Sequence, residues 1–439
     1  MRFFDRKKEL GLLAEIEAQS HRHAQFTVIT GRRRIGKTSL ILKSCQKKDF
    51  AYLFVERKDE RDLCQTFKEE LESRLGMTIH GRPSSFAEIF EELLKLAKSR
   101  PITVVIDEFQ EFLKVNPSVF SSIQKLWDLH KDEARINLIV SGSVYTLMQK
   151  IFKTKKASLY GRETGFIRLD PFSTSVLKEI LGEYHPHYAP DDLLALWTFT
   201  GGVAKYIELL VDRDACTRDR MIDLIVREDS TFLEEGKAVL VEEFGKDYGV
   251  YFSVLSAIAT GHNTRNEISQ ALGRDVGGYL TRLESDYALI SRKQPLFAKP
   301  SARGAHYQMN DCFFEFWFRF IFRYGFLLEI KGYDKIREII RRDYPVFSGR
   351  ALESYFRAKL IESGDYTRIG GWWDRKGENE IDLVAENEID RRAVFFEVKR
   401  QDARYDATAL EERANLFLKS TGRFKGYDIR LQGLSLNDL

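Results

Sequence analysis

Residues that stabilise small secreted or metal-bound domains are scarce in this sequence. Its 439 residues include only four cysteines, Cys45, Cys64, Cys216 and Cys312, and none of them forms a CxxC pair. This spacing excludes a zinc ribbon and a disulfide framework. A reducing, cytoplasmic location is therefore expected.

An excess of charge of one sign is also missing. The 69 lysine and arginine residues nearly balance the 66 aspartate and glutamate residues, which leaves a net charge of +3. This balance excludes a polybasic protein that binds nucleic acid through its bulk charge. Any nucleic-acid site therefore has to be local.

Long apolar runs are missing as well. The first ten residues, MRFFDRKKEL, are charged before an apolar run can develop, so we expect no secretory signal. The aromatic stretch 313–328 is interrupted by Glu315, Arg319 and Arg323 below the length that spans a membrane, and it is predicted to form a buried helix. With 43% hydrophobic residues, the chain still has enough apolar material for two or three folded domains.

The clearest motif follows the short apolar run FTVIT. It spells GxxxxGKT and leads into the helical pattern SLILKSCQKK. In such a loop the backbone N–H groups wrap the phosphates of ATP, Lys37 reaches the β and γ phosphates, and the Thr38 hydroxyl ligates Mg²⁺. The alternative is a plain glycine turn between a strand and a helix. The predicted nucleotide-binding residues are Gly31, Arg32, Arg33, Arg34, Ile35, Gly36, Lys37, Thr38 and Ser39.

Two further strand patterns end in polar residues. The run ITVVIDEFQ places Asp107 at a strand end, where it is predicted to hold Mg²⁺, and Glu108 next to it, where it is predicted to orient or deprotonate the attacking water. The run INLIV leads to Ser141 and Ser143. These serines are candidates either for sensing the γ phosphate or for capping the next helix.

Strands that alternate with helical stretches to residue 170 predict a parallel α/β sheet, with the nucleotide at the carboxyl ends of the strands. These motifs, together with FFDRKKEL, LYGRETGFIRLDPF and TGGVAKYIELL, make the chain resemble the archaeal-type P-loop ATPases of the AAA+/STAND group. The resemblance implies a helical lid after the sheet and nucleotide-sensing roles for Arg162 and Tyr206. Arg162 is equally compatible with a surface charge or a contact to a neighbouring subunit.

Three short amphipathic helices are predicted after Tyr251, with breaks at Gly261 and Gly273, and Ala271 is expected in their core. This is the layout of a winged helix-turn-helix. The wing segment, residues 290–309, has four basic residues and no acidic residue, which suits contact with phosphates. The alternative is a spacer or docking surface. The predicted DNA-binding residues are Arg274, Arg282, Arg292, Lys293, Lys299 and Arg303.

A new pattern begins after the basic stretch KIREIIRRDYP. A helix that carries Glu353 precedes a predicted β meander, with Asp382 inside its second strand and Glu397 and Lys399 on its third. Glu397 and Lys399 point to the same face, because side chains two apart on a strand do so. Burying ionised groups in this way is costly unless they bind something.

The order Glu353, Asp382, Glu397-x-Lys399 resembles the PD-(D/E)XK nuclease superfamily. The resemblance implies that the three carboxylates bind Mg²⁺ or Mn²⁺ and that Lys399 positions or activates a water molecule. Ile381 stands where that superfamily usually has a proline. The alternative is a salt bridge between Lys399 and one carboxylate. The stretch also resembles the C-terminal domains of unknown function that follow archaeal-type ATPases.

The sequence therefore predicts an α/β protein with a P-loop NTPase sheet, a helical lid, a winged helix-turn-helix and a restriction-endonuclease-like α/β domain. The predicted divisions are the ATPase core at 1–170, the lid at 171–245, the winged helix at 246–310, a helical connector at 311–345 and the nuclease-like domain at 346–439.

The expected function is Mg²⁺-dependent ATP hydrolysis combined with DNA binding and metal-dependent DNA cleavage under nucleotide control. The alternative is a STAND-like nucleotide-dependent switch whose C-terminal domain binds DNA or protein without cleaving. A homo-oligomer or a regulatory protein partner is compatible with both, and no membrane partner is expected.

Overall fold

Strand β1 (Gln25–Thr30) is buried along its whole length, as is typical of a central strand in a parallel sheet with helices on both faces. It lies in the first of two units that the computed structural model contains, residues 5–170. Residues 1–4 and 171–439 form the second unit. The structure describes residues 1–46, 48–245, 248–298 and 305–439.

Helices and strands alternate through the first unit. In chain order its elements are α1 (Lys7–Ser20), β1, α2 (Lys37–Ser44), β2 (Ala51–Phe54), α3 (Glu60–Leu75), α4 (Phe86–Ser99), β3 (Ile102–Asp107), a 3₁₀ turn (Phe109–Glu111), α5 (Phe112–Val115), α6 (Val119–His130), β4 (Ile136–Gly142), α7 (Tyr145–Phe152) and β5 (Gly165–Arg168). All five strands are parallel, in the order β2-β3-β4-β1-β5. This sheet confirms the predicted P-loop NTPase fold class.

The core of this unit lies between the sheet and its helices. Helix α4 shows how the sequence builds it, because its buried residues recur at the three- and four-residue spacing of one helix face, as at Phe86, Phe90 and Leu93. The strand order places β4 between β1 and β3. The carboxyl ends of these three strands are therefore neighbours.

Five helices open the second unit: α8 (Thr174–Tyr184), α9 (Pro190–Thr200), α10 (Ala204–Val211), α11 (Arg218–Ile225) and α12 (Phe232–Phe244). They lie in the range predicted to form the helical lid. Trp317 packs against Gly236 of α12, where an added Cβ would meet the indole ring, and the Trp317 indole donates to the Leu233 carbonyl at 3.0 Å.

Three helices and a hairpin follow: α13 (Tyr248–Ala259), α14 (Arg265–Leu272), α15 (Gly277–Ser285), β6 (Ile290–Lys293) and β7 (His306–Met309). The two strands are antiparallel. Leu280 and Leu283 of α15 are buried, but Ala271 of α14 is exposed, so the core position predicted for Ala271 was wrong. Lys299 and Arg303 lie outside the described residues.

The aromatic segment is broken instead of forming the single helix predicted for it. It contains α16 (Cys312–Phe316), a π-helical turn (Trp317–Ile321), a 3₁₀ turn (Phe322–Tyr324) and α17 (Gly325–Glu329). The predicted burial holds for the first part of the segment, where Phe313 and Phe318 are buried, but not for its end, where Phe326 is 70% exposed. Nowhere in the described ranges is a helix both long and apolar enough to cross a membrane.

Helix α18 (Tyr333–Ser363) contains Pro345 and continues through residues 345 and 346, where the sequence suggested a domain boundary. The last elements are β8 (Arg368–Trp373), β9 (Glu380–Asn387), β10 (Arg392–Val398), a 3₁₀ turn (Asp402–Arg404), α19 (Ala407–Thr421), β11 (Asp428–Leu434) and a final 3₁₀ turn (Leu436–Asp438). Strands β8, β9 and β10 form an antiparallel meander, and β11 adds to it parallel to β10. Residues Phe395 and Phe417 lie in the apolar core between this sheet and α19.

Candidate functional site

The loop after β1 depends on two glycines. Gly31 and Gly36 have φ angles of 152° and 98°, which disfavour other residues. A Cβ on Gly31 would also lie 2.7 Å from the carbonyl oxygen of Leu169. Helix α2 begins directly after Gly36, so the free N–H groups of its first turn lie at the loop.

Lys37 is buried inside this loop. Its ammonium group donates to the carbonyl oxygens of Gly31 at 2.9 Å and Arg32 at 3.2 Å. The loop backbone therefore wraps around a cation, with helix N–H groups beside it. Such an arrangement is suited to binding an anion.

Asp107 at the end of β3 is buried, and its carboxylate accepts four hydrogen bonds. One oxygen accepts from the Thr38 hydroxyl at 3.0 Å and the Tyr52 hydroxyl at 2.5 Å. The other accepts from the Ser141 hydroxyl and, at 2.9 Å, from the Glu108 N–H. These partners meet because β1, β2, β3 and β4 all end at one edge of the sheet.

Sequence reasoning missed Tyr52. A tyrosine in the short strand AYLF is usually a core residue, so nothing in the local pattern pointed to the site. In the structure its burial, with the neighbouring Asp107 carboxylate, raises the pKa of the Tyr52 phenol. The hydroxyl therefore stays protonated and donates to Asp107.

Asp107 and Thr38 together suit a magnesium ion. They supply a carboxylate and a hydroxyl oxygen, which are the hard ligands that Mg²⁺ prefers. The hydrogen bond between them places both oxygens within reach of one ion. The donor set of this structure thus fits the metal that the P-loop motif implies.

Glu108 has a strained backbone. Its φ of 54° lies in the left-handed region, which costs a non-glycine residue on the order of 1–3 kcal/mol. One carboxylate oxygen accepts hydrogen bonds from the Ser143 hydroxyl at 2.7 Å and the Gln110 amide at 2.5 Å. Gln110, which sequence reasoning missed, thus shares with Ser143 the task of holding this carboxylate.

The two serines of the β4 end have separate contacts. Ser141 is fully buried and donates to Asp107, whereas Ser143 donates to Glu108. Neither acts as the cap of α7, whose N-cap residue is Val144. Ser141 therefore contacts Asp107, the last residue of β3, and Ser143 contacts Glu108, the residue after it.

Arg162 is not brought to the P-loop. It precedes β5, at the amino end of the sheet, and pairs with Asp128 of α6 at 3.1 Å. The neighbouring strand β1 has six residues, so about 20 Å of strand separates this edge from the carboxyl edge. The nucleotide-sensing role implied for Arg162 therefore lacks the necessary proximity.

Tyr206 is a core residue of the second unit. Its side chain is 1% exposed, its hydroxyl donates to Glu235 at 3.1 Å, and its ring lies 4.4 Å from that of Phe313. A side chain enclosed in this way has no surface to offer a nucleotide. The sensing role implied for Tyr206 is therefore replaced by a packing role.

The predicted DNA-binding residues divide into three groups. Arg274, Arg282 and Arg292 are exposed. Lys293 is half-buried, and burial together with the nearby Arg357 lowers the pKa of its ammonium to about 8. The remaining two fall outside the described residues.

In the C-terminal sheet, the β9–β10 ladder ends at the pair Leu383 and Phe396. The next positions along the two strands are Asp382 and Glu397, which lie opposite each other and share a face. The Asp382 carboxylate accepts from the Val398 N–H at 2.7 Å, in place of a further ladder bond. The end of the ladder therefore gathers two carboxylates that are distant in sequence.

Lys399 lies between these carboxylates. Its ammonium is 3.2 Å from a Glu397 oxygen and 3.7 Å from an Asp382 oxygen. Arg413 of α19 donates a hydrogen bond to Glu397 at 2.8 Å. Nothing in the sequence pattern pointed to this residue. Burial alone would raise the pKa of Glu397, but the hydrogen bonds from Arg413 and Lys399 outweigh it and lower that pKa.

Glu353, on helix α18, lies close enough to Asp382 and Glu380 for their charges to act on it. Burial, then the charges of Asp382 and Glu380, raise the pKa of Glu353 to about 8. Burial raises the pKa of Asp382 as well. We call Glu353, Glu380, Asp382, Glu397 and Lys399 the C-terminal cluster.

The cluster does not have the geometry of a closed metal site. Over the described part of the chain, no group of three or more His, Cys, Asp and Glu side chains could hold a metal ion. Lys399 and Arg413 instead supply the positive charge around Glu397. The second metal site expected from the sequence is therefore not supported by this arrangement.

Comparisons with known proteins agree with the nucleotide site. Residues 3–210 match a family described as an ATPase domain predominantly from Archaea. Residues 317–411 match a family described as archaeal and bacterial proteins of unknown function. An uncharacterized protein of Methanocaldococcus jannaschii is 31% identical over 410 residues, covering 91% of this chain and 88% of that protein.

Two more distant similarities cover parts of the chain. General secretion pathway protein A of Aeromonas hydrophila is 26% identical over 204 residues, which are 43% of this chain and 36% of that protein. A Walker-type ATPase of Pyrococcus abyssi has a solved structure that aligns with a TM-score of 0.55 at 19% identity, over 72% of this chain and 96% of that one. This last similarity shows a shared fold.

The contact between Ser143 and Glu108 leads to a first prediction. Replacing Ser143 with alanine should lower kcat for ATP hydrolysis about tenfold, because a hydrogen bond to a charged group is worth about 1.5 kcal/mol. The KM for ATP should change little. Steady-state hydrolysis measures both, with Ser121→Ala on the exposed side of α6 as the control. A raised KM with an unchanged kcat would mean instead that Ser143 contacts the nucleotide.

Proposed function

The chain belongs to the same family as the uncharacterized protein of Methanocaldococcus jannaschii, and its residues 3–210 match an ATPase domain found predominantly in Archaea. On that premise we propose that it hydrolyses ATP and uses its nucleotide state to control DNA binding and cleavage. The observation that carries the ATPase part is the hydrogen bond between Thr38 of the P-loop and Asp107 of β3. It supports a single site in which phosphate-binding and metal-binding groups meet.

In this proposal the loop 31–38 binds the phosphates through its backbone N–H groups, and the Lys37 ammonium exchanges the Gly31 and Arg32 carbonyls for β and γ phosphate oxygens. Thr38 and Asp107 would hold Mg²⁺. When bound, that ion neutralises charge on the transferred phosphate.

Glu108 would accept the proton of the attacking water. Because Glu108 directly follows Asp107, its carboxylate would lie beside the same phosphate. Hydrogen bonds from Ser143 and Gln110 fix the orientation of this carboxylate. A base held in one orientation before substrate arrives loses little energy to reorganisation. The strained backbone of Glu108 is consistent with such a functional constraint.

DNA binding is proposed for the second unit. The layout of α13, α14 and α15 followed by the β6–β7 hairpin matches that of a winged helix-turn-helix, and Arg274, Arg282 and Arg292 are exposed on it. Exposed arginines can pair with phosphates, which gives affinity without base specificity.

DNA cleavage is proposed for the C-terminal cluster. Asp382 and Glu397 lie opposite each other at the end of one ladder with Lys399 between them, and Glu353 approaches from α18. These carboxylates form no metal site within the described residues as they stand, so binding of Mg²⁺ or Mn²⁺ by Asp382, Glu397 and Glu353 would require Lys399 and Arg413 to release Glu397. An ion bound there would stabilise charge on the scissile phosphate. Lys399 would position the attacking water.

A second candidate is a nucleotide-dependent switch whose C-terminal domain binds DNA or protein without cleaving. Two cations, Lys399 and Arg413, already contact Glu397, and this pairing favours a structural charge network over a metal site. The two candidates share the ATPase site and differ only in the chemistry of the C-terminal cluster.

The nucleotide site is tested at Lys37. Replacing Lys37 with alanine should lower ATP turnover at least about 10²-fold. The change removes the positioned cation that would stabilise the negative charge that develops on the phosphate. Lys43→Ala, an exposed change on the same helix α2, serves as the control. Normal ATP binding and turnover in the Lys37 variant would refute the assignment of this site.

The cleavage proposal is tested with plasmid and linear DNA in Mg²⁺ or Mn²⁺. Wild type should cut both, and Asp382→Ala and Lys399→Ala should each lower the rate at least about 10²-fold because each removes a group of the reaction centre. Glu388→Ala, at the exposed β9–β10 turn, should keep full activity. Equal cutting by all four proteins would refute nuclease chemistry at the cluster, and DNA binding without cutting would favour the switch.

A further inference from the structure

The β6–β7 hairpin, which we call the wing hairpin, packs against the C-terminal sheet. The Leu296 N–H that follows β6 donates to the Gly371 carbonyl at 2.8 Å. The His306 ring of β7 stacks on Trp373, with 4.9 Å between the ring centroids and 10° between the planes. Gly371 and Trp373 belong to β8, the edge strand of the sheet. The wing hairpin therefore forms part of the surface around the C-terminal cluster.

With the hairpin packed in this way, Lys293 lies near helix α18. Lys293 pairs with His306 in the hairpin and is half-buried, close enough to Arg357 of α18 for the two cations to repel. Arg357 is half-buried too, and burial lowers its pKa. Within the described ranges neither side chain forms a hydrogen bond or an ion pair.

Two neighbouring cations without an anion are costly to bury. Desolvation disfavours each charge, and repulsion adds to the cost where the surroundings screen it poorly. Other charges in the chain that are partly or fully buried have a partner of opposite charge, such as Glu111 with Arg57 and Glu397 with Arg413. The cost at Lys293 and Arg357 is removed if an anion lies between them.

We propose that Lys293 and Arg357 bind a backbone phosphate of DNA beside the C-terminal cluster. The inference rests on the proposed DNA binding and specifies where one strand lies. Arg357 follows Glu353 by four residues on α18, about 6 Å along the helix axis and on the same face. A phosphate held by this pair therefore lies next to the carboxylates, and the wing contributes to the cleavage site as well as to groove contacts.

A guanidinium and an ammonium suit such a group. Arg357 offers planar, paired N–H donors that match two phosphate oxygens, and Lys293 adds a compact charge from a second element. Free phosphate shares this chemistry with the DNA backbone. The strand is favoured because the pair adjoins the proposed reaction centre, where a substrate phosphate has to be held.

The test measures binding of a short labelled duplex to the full chain by fluorescence anisotropy, with EDTA present to prevent cutting. Lys293→Gln should weaken binding about eightfold at about 0.1 M salt and lower the slope of log affinity against log salt by about 0.9, the value for one phosphate contact. Arg357→Gln should have a similar effect. Lys419→Gln, exposed on α19, should leave both quantities unchanged.

Thermal unfolding separates this role from a structural one. Because Lys293→Gln removes a half-buried charge that has no partner, its melting temperature without DNA should equal or exceed that of wild type. A lowered melting temperature together with an unchanged salt slope would overturn the proposal.

Two further outcomes distinguish the proposals. If Arg292→Gln weakens DNA binding while Lys293→Gln and Arg357→Gln do not, DNA binding stands and the Lys293–Arg357 phosphate site is refuted. If wild type binds no duplex, DNA binding and this site both fail. Inorganic phosphate that raises the melting temperature of wild type and not of Lys293→Gln, with equal DNA affinity in the two, would identify free phosphate as the ligand and overturn the strand assignment.

Discussion

The hydrogen bond between Thr38 and Asp107 is the contact on which the nucleotide site depends. It joins the first residues of α2 to the end of β3 across a separation of 69 residues, and it can form because the parallel strands β1, β4 and β3 end at the same edge of the sheet. A buried carboxylate without partners would cost several kcal/mol. Asp107 avoids that cost through donors from four segments, so the carboxyl edge of the sheet is held in one arrangement before any ligand arrives.

The same edge couples the two carboxylates that follow β3. Ser141 and Ser143 lie two residues apart at the end of β4, and one contacts Asp107 while the other contacts Glu108. A shift of this strand end would change the proposed metal ligand, Asp107, and the proposed base, Glu108, together. The backbone of Glu108 lies in the left-handed region at the point where these two adjacent residues contact different partners.

Local spacing allowed the P-loop, the Asp107–Glu108 pair and the C-terminal meander to be predicted from sequence, because each is a short pattern with its own strand or helix signal. Tyr52, Gln110, Arg413 and Arg357 could not be found in that way. Their roles come from contacts between elements that only the folded chain brings together. The position of Arg162 could not be predicted for the same reason, because its motif does not reveal at which edge of the sheet the residue will lie.

The wing hairpin illustrates the limit further. Its basic composition suggested contact with phosphates, with a spacer or docking surface as the alternative. In the structure Leu296 and His306, which lie beside those charges, attach the hairpin to β8. Composition predicted the charge correctly and could not predict the packing. The hairpin and the C-terminal cluster are consequently better considered together than as separate modules.

We propose that the P-loop and Asp107 form one nucleotide and magnesium site. Calorimetric titration of the full chain with a non-hydrolysable ATP analogue, with and without Mg²⁺, tests it most directly. We expect one nucleotide to bind per chain. Wild type should bind it more tightly with Mg²⁺ than without, and Asp107→Asn should lack that gain. Nucleotide binding that ignores Mg²⁺ in wild type, or that keeps the full gain in Asp107→Asn, would contradict it.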